Sequence, residues 1–286
     1  MDDLRSLLTT YAYNITGSYE DSKDIVQDAY RKFMNVDKER IENKKAYLIR
    51  TVINLAINFK NRQKKLVSEY PGTWLPEPVA TEKADTAINR KEILSYSLMV
   101  LLEKLNAKQR AVFILKEAFG YEHEEIAEVL GITTENSRKL LSRAKTELKN
   151  DDVSFRKKIP FTYINKYAEA IRNGDMHTIE QILNDDITLV SDGGGKVPAA
   201  INFVKGKADA IKFLQGIYKK FYTDKRIEKS FINHQPALLY YDGETLTNCQ
   251  VFFIQNDHIR NIYFVRNPDK LKLLEENVRE SFIQSK

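Results

Sequence analysis

Between positions 50 and 65 the chain carries Arg50, Asn54, Asn58, Lys60, Asn61, Arg62, Lys64 and Lys65 with no acid among them. A carboxamide offers a donor and an acceptor side by side, which suits the edge of a nucleic-acid base. Asparagine is a poor residue inside a helix, because its amide competes for backbone hydrogen bonds. Asn54, Asn58 and Asn61 therefore weaken a helix unless they recognise something. Lys60, Arg62, Lys64 and Lys65 suit phosphates, whose neutralisation dominates affinity for nucleic acid. The bland alternative is a solvated basic helix end.

A second constellation runs from Glu122 to Lys145. Residues 122–138 read as helix, tight turn, helix. Ala127 is small enough for a second helix to cross closely above it, and Gly131 supplies the left-handed backbone that ends the first helix. Thr133 caps the second helix, whose inward stripe is Ser137, Leu141, Ala144 and Leu148. That leaves Thr133, Thr134, Glu135, Asn136, Arg138, Lys139, Ser142, Arg143 and Lys145 at its start and on its outer face. The first turn of such a helix enters a major groove, and its cations take bases or phosphates. Ser137 departs mildly from the pattern, since a larger apolar residue commonly sits there. An ordinary helical hairpin with a basic face is the competing reading.

Three short motifs remain: Trp74-Leu75-Pro76-Glu77-Pro78, Asp192-Gly193-Gly194-Gly195-Lys196 and Asn267-Pro268-Asp269-Lys270-Leu271. Three consecutive glycines permit backbone conformations or close approaches that any side chain would block. A loose surface turn is the alternative. His177, His234 and His258 are the histidines of the C-terminal part. His177 and His258 read as exposed, and His234 has no clear place. No Ser/His/Asp order, phosphate-binding glycine loop or metal-ligand spacing rises above chance, so catalytic and metal-binding residues are not expected.

The elements that must position these groups follow from pattern. The 286 residues suggest two or three compact units. Net charge is +5, too small an excess to make the whole surface basic. No run of about 18 apolar residues occurs, the N-terminus lacks the features of a signal peptide, and Cys249 is the single cysteine. A cytoplasmic protein without a membrane partner is expected. Ser18 with Asp21 predicts a capped helix through about Phe33, with Ile25, Ala29 and Phe33 inward. Leu48, Val52, Leu55 and Phe59 predict a helix from about Lys44 to Lys65. Pro71, Pro76 and Pro78 predict extended or turned chain between two helical blocks. From Phe231 to Val265, aromatic and β-branched residues broken by Asp242-Gly243 and Asn256-Asp257 predict antiparallel strands joined by hairpins.

The stretches 22–30, 46–56 and 124–149 together resemble the extracytoplasmic-function sigma factors of bacterial RNA polymerase. The three short motifs, in this order, resemble the signature of their ECF41-type subgroup. The resemblance implies a multi-domain chain: two all-α sigma domains, a region 2 helical bundle and a region 4 helix-turn-helix, followed by an α+β cone of the NTF2/SnoaL kind. The expected bounds are 1–66 for region 2, 67–90 for a linker with the WLPEP motif, 91–150 for region 4 and 155–286 for a regulatory domain. Core RNA polymerase and promoter DNA are the implied partners. Asp24, Gln27, Asp28 and Arg31 become polymerase contacts. Arg50, Asn54, Asn58, Lys60, Asn61, Arg62, Lys64 and Lys65 read the −10 element, and the helix starting at Thr133 reads the −35 element. Tyr47 stands where tryptophan is frequent. Trp74, Pro76, Pro78, Asp192, Gly193, Gly194, Gly195, Lys196, Asn267, Pro268, Asp269 and Lys270 form a regulatory contact, with Lys196 expected to pair with Asp269. The signal could be an unidentified small ligand in the cone; no cofactor is implied. Two rival readings stand beside this one: an activator using only the helix-turn-helix, and a small-molecule enzyme of the NTF2-like superfamily tethered to a DNA-binding module.

Overall fold

The computed structural model describes residues 2–37, 39, 41–67, 69–81, 88–148, 161–222 and 224–283. The chain divides into two compact units, one of residues 1–69 and 85–155, the other of 70–84 and 156–286.

The first unit is helical. α1 (Asp2–Thr16) is followed by α2 (Tyr19–Met34), which the Ser18 hydroxyl caps by accepting from the Asp21 amide at 3.2 Å. α3 (Lys44–Val67) starts at Asn43, whose side chain accepts from the Ala46 amide at 3.0 Å. The helix forms as predicted, but its buried stripe is Leu48, Val52, Ile53 and Ala56, while Leu55 and Phe59 of the expected stripe are half-buried. After the short helix α4 (Tyr96–Leu101), α5 (Ala107–Phe113) opens with a reciprocal Asn106–Gln109 capping box and runs into a π turn at Ile114–Ala118. α6 (His123–Leu130) ends at Gly131 with φ +61°, and α7 (Thr134–Glu147) is capped by Thr133, whose hydroxyl accepts from the Asn136 amide at 3.1 Å.

The second unit is α+β, as expected. α8 (Thr162–Asn173) and α9 (Met176–Ile182) lead into β1 (Leu183–Asp192). Then come β2 (Val204–Lys205), α10 (Lys207–Phe221), the meander β3 (Arg226–Ile232), β4 (Gln235–Asp242), β5 (Thr245–Gln255), β6 (His258–Val265), and α11 (Pro268–Ile283). The sheet order is β2-β1-β6-β5-β4-β3, antiparallel except where β1 runs parallel to β6. Two of the hairpins turn through pairs of non-glycine residues of positive φ: Asn256-Asp257, where the sequence predicts a turn, and Asn233-His234, which gives His234 its place. One face of the sheet packs on α8, α9 and α10 through Tyr167, Leu214, Tyr240, Phe252 and Phe264. α11 packs on β5.

One expectation is corrected here. The proline-rich segment, expected as part of an interdomain linker, belongs with the second unit over residues 70–81. Leu75, Pro76 and Pro78 to Ala80 are buried there. The apolar and proline content that argues against helix also gives this extended chain enough surface to pack.

Candidate functional site

The groups expected to meet DNA and polymerase lie in the first unit. On α2 the buried residues are Ser22, Ile25, Val26 and Ala29, so Asp24, Gln27 and Arg31 are exposed on the remaining surface with Asp28 half-buried beside them. Arg31 and Asp28 form an ion pair there. On α3, Arg50, Asn58, Asn61 and Arg62 are exposed. The side chains of Lys64 and Lys65 lie outside the described residues.

Two residues of this face do something other than expected. Asn54 donates from Nδ2 to the carbonyls of Arg50 at 2.8 Å and of Val129, in α6, at 2.9 Å. Lys60, expected on phosphates, is 8% exposed and faces inward. Its ammonium donates to the Thr16 carbonyl at 2.9 Å, to Gln63 at 3.0 Å and to Glu103 at 2.8 Å. The missed partner is Arg110, fully buried, which pairs with Glu103 and donates from Nε to the Asn14 carbonyl at 3.0 Å. Burial alone would raise the Glu103 pKa, but Arg110 and Lys60 outweigh it and hold it below the ordinary value. A carboxylate between two cations stays ionised, and the three charges tie α3 to α5. Charge pattern along α3 could not reveal this, because the anion lies 43 residues away.

α7 presents its outer face as the spacing predicts. Thr133, Glu135, Asn136, Arg138, Lys139, Ser142, Arg143 and Lys145 are exposed and Thr134 half-buried. Arg138, Lys139 and Lys145 make exposed ion pairs with Glu124, Glu135 and Glu117. Such pairs are worth little, so competing phosphates can take these cations. Ser137 is fully buried, and its hydroxyl meets His123 Nδ1 at 2.8 Å. The polar residue at an inward position thus has a polar partner across the turn.

In the second unit the three short motifs converge. Asp192, at the end of β1 and fully buried, accepts from the Tyr70 hydroxyl at 2.6 Å, the Leu75 amide at 3.0 Å, the Gly194 amide at 2.9 Å and the Lys270 ammonium at 2.7 Å. Lys270, 6% exposed, also donates to the Leu75 carbonyl, and its charge lies 4.2 Å from the centre of the Trp74 ring. Burial first, then the Asp192 carboxylate, holds the Tyr70 phenol above its ordinary pKa, so it remains a donor. Asn267 donates to the Tyr70 oxygen at 3.0 Å. Gly194 and Gly195 have φ of +63° and +69°, and a Cβ would overlap the Asn267 amide at the first and the Pro71 ring at the second. The glycines are therefore required by close approach, not by looseness. Lys196 pairs with Asp269 at 2.5 Å on the rim, as expected. Pro268 is exposed, at the start of α11.

Further along, the same segment is fixed by the β3–β4 hairpin. Val79 donates its amide to Asn233 Oδ1 at 3.0 Å and accepts from the Asn233 amide at 2.9 Å. The Thr81 amide donates to the Phe231 carbonyl at 2.9 Å, and the Thr81 hydroxyl accepts from the His234 amide at 3.0 Å. Asn233, which the sequence reading did not single out, is thus a second anchor.

Family comparison gives the same division. Sigma-70 region 2 matches residues 1–66 and Sigma-70 region 4 matches residues 95–148. The ECF RNA polymerase sigma factor SigJ of Mycobacterium tuberculosis is 31% identical over 229 residues, 76% of this chain and 72% of that protein. The probable ECF RNA polymerase sigma factor SigI of the same species is 23% identical over 276 residues, covering 93% and 92% of the two chains. The crystal structure of SigJ superposes with a TM-score of 0.77 at 25% identity over 95% of this chain and 96% of that one. With its helical regions 2 and 4 and an α+β domain behind them, this chain belongs to the extracytoplasmic-function RNA polymerase sigma factors.

Proposed function

We propose that this sigma factor is held back by its own C-terminal domain, which grips the segment joining region 2 to region 4. The observation that carries the reading is the buried Asp192–Lys270 pair closed around Tyr70, Trp74 and Leu75. Residues 70–81 connect α3 to the helices of region 4, so their capture limits how far those regions can separate. Region 2 and region 4 are meanwhile joined through Asn54 to Val129, through Lys60 to Glu103 and through Arg110 to the Asn14 carbonyl. Reading two separated promoter elements requires that joint to open. A gripped linker therefore favours the closed arrangement, and a released one favours the open arrangement.

In this reading Asp24, Gln27, Asp28 and Arg31 contact the core polymerase. Arg50, Asn58, Asn61 and Arg62 read the −10 element, and Asn54 and Lys60 join them only once regions 2 and 4 part. Thr134, Glu135, Asn136, Arg138, Lys139 and Arg143 read the −35 element from the start of α7. Among the described residues no helix is long and apolar enough to cross a membrane. A binding role suits the C-terminal domain better than catalysis. Among the described residues, those lining the cavity of this domain include no carboxylate and no histidine, the groups that acid–base chemistry needs.

The test is run-off transcription with purified core polymerase, comparing the full-length protein with Asp192→Asn at equal concentration. The variant keeps the shape of the carboxylate but leaves Lys270 without its counter-charge. The transcript should rise several-fold. An unchanged or lower yield from a variant that retains its helical and sheet circular dichroism would refute inhibition by the grip.

A further inference from the structure

α6 lies against the face of α3 that is proposed to read the −10 element, and it is held there at both ends. Just before α6, the Tyr121 hydroxyl meets the Tyr11 hydroxyl of α1 at 3.0 Å, and the Phe119 ring lies 4.2 Å from the Tyr11 ring, centre to centre. At the other end, the last carbonyls of a helix have no partner within it. The Gly131 amide serves the Ala127 and Glu128 carbonyls, and the Asn54 side chain, from α3, serves that of Val129 at 2.9 Å. Asn54 thus caps a helix of region 4 with the group expected to read a base.

Between these anchors α3 and α6 line a groove of about 600 Å³. Region 2 contributes Lys45, Tyr47 and Arg50, together with Glu42. Region 4 contributes Glu125 and Glu128, which three-residue spacing puts on one side of their helix. α6 carries the carboxylates of Glu124, Glu125 and Glu128 and no lysine or arginine. Tyr47, Arg50 and Asn54, spaced by three and four residues, share one face of α3 in the same way. Farther along α3, Lys60 meets the carboxylate of Glu103, again from region 4, at 2.8 Å. At successive places on α3, region 4 therefore presents what DNA would present. Carboxylates stand where phosphates are expected, near Arg50 and at Lys60, and a carbonyl stands where a base acceptor is expected, at Asn54.

We infer that region 4 is an intramolecular stand-in for promoter DNA, and that Glu125 and Glu128 keep nucleic acid away from Lys45 and Arg50 while the two regions are closed. A phosphate entering the groove toward Arg50 meets two negative charges on the opposite wall, and like charges brought together disfavour association. The exclusion is electrostatic along the groove and steric at Asn54, whose amide is already taken. The inference rests on the reading of α3 as the −10 face and is independent of the grip. The grip concerns what holds the closed arrangement, whereas the carboxylates of α6 concern what that arrangement turns away.

The test uses the full-length protein without polymerase and a fluorescein-labelled single-stranded DNA of random sequence, about 30 nucleotides long, with anisotropy as the readout. The double variant Glu125→Gln, Glu128→Gln removes both charges. Glutamine keeps an oxygen for the Glu122 amide, so the start of α6 is preserved. In about 0.1 M salt, where the screening length is about 10 Å, the double variant should bind at least about fivefold more tightly than the wild type. Adding Arg50→Ala should abolish the gain. Glu169→Gln with Glu180→Gln removes two exposed charges from α8 and α9 and should leave the affinity within about twofold of wild type. No gain in the double variant, an equal gain in the α8–α9 control, or a gain that survives Arg50→Ala would overturn the inference. If Arg50→Ala weakens the wild-type protein while the double variant gains nothing, the exclusion falls and the DNA face stands. If Arg50→Ala changes no affinity at all, the DNA face falls and takes the exclusion with it.

Discussion

Two buried ionic clusters hold distant segments of this chain, and they differ in what they hold. In the first unit Lys60, Glu103 and Arg110 join packed helices, and the two cations also answer the Thr16 and Asn14 carbonyls at the end of α1. In the second unit Asp192 and Lys270 close on residues 70–75, which have no helix or strand of their own. The Leu75 amide and carbonyl both bond to that pair. Removing a charge from the first cluster leaves its neighbours buried and unanswered, because packed helices cannot easily move aside. Removing one from the second lets an extended segment lift away and water enter. On the proposed reading the second cluster is therefore the one that yields first, and the first holds the closed arrangement until it does.

The sharpest break in that comparison is Arg110→Met. It leaves Glu103 with one cation and frees the Asn14 carbonyl in a fully buried setting. Breaking a buried pair by removing one partner costs about 3–5 kcal/mol. The midpoint of urea unfolding should fall accordingly. Asp192→Asn should cost less, on the order of 1–3 kcal/mol, since the segment it holds can rehydrate. Equal losses in the two variants would erase the distinction.

Acid should separate the clusters as well. The Glu103 carboxyl is held below its ordinary pKa of 4.5, so it binds protons less readily folded than unfolded. Its contribution is then full above about pH 4.5 and is lost as pH falls through the lower folded value. Melting curves of the wild type and Glu103→Gln between pH 7 and pH 3 should lie apart at neutrality and converge below pH 4.5. A gap that stays constant to pH 3 would mean that the carboxylate adds nothing specific to the joint.

What the sequence revealed, and what it hid, follows the same division. Helices α2, α3, α6 and α7 were legible because their caps and inward stripes are local, within three or four residues of each other. The antiparallel strands were legible from alternation and from turn pairs such as Asn256-Asp257. Resemblance, not periodicity, joined the three short motifs. The partners of Lys60 were illegible, because a cation that answers a carboxylate 43 residues away looks like any phosphate-binding lysine in a basic run. Asn54 likewise has a partner that the sequence does not show, the Val129 carbonyl 75 residues away. For Asp192 the motif was visible while its role was not. A local reading puts the interest on the three glycines and on Lys196, whereas the buried anion beside them makes the contacts. His123 and Ser137 are the mildest case, two unremarkable polar residues that are meaningful only as a pair.

Gly195→Ala gives a smaller, sharper probe of the grip. The backbone there has φ +69°, and the new methyl would meet the Pro71 ring. A left-handed conformation costs a non-glycine residue about 1–2 kcal/mol, and the overlap adds pressure to lift the segment. Trp74 emission should move toward that of an exposed indole, and proteolysis within residues 70–81 should quicken, while the unfolding of the first unit stays unchanged.

The smallest effect belongs to the pair that the sequence reading singled out, Lys196 with Asp269. Both side chains are more than half exposed, at 55% and 66%, so solvent and salt screen their 2.5 Å contact. Exposed pairs contribute roughly 0.2–1 kcal/mol. Lys196→Glu and Asp269→Lys should each raise Trp74 exposure slightly, and the double reversal should restore the wild-type signal. The effect of either single change should fade as ionic strength rises, since about 10 Å of screening length at 0.1 M salt becomes about 3 Å at 1 M. The Asp192→Asn effect should persist across the same salt range, because the charge it removes is shielded from water. Were the rim pair to prove as costly and as salt-resistant as the buried one, the grip would have to be centred on the glycine turn and not on Asp192.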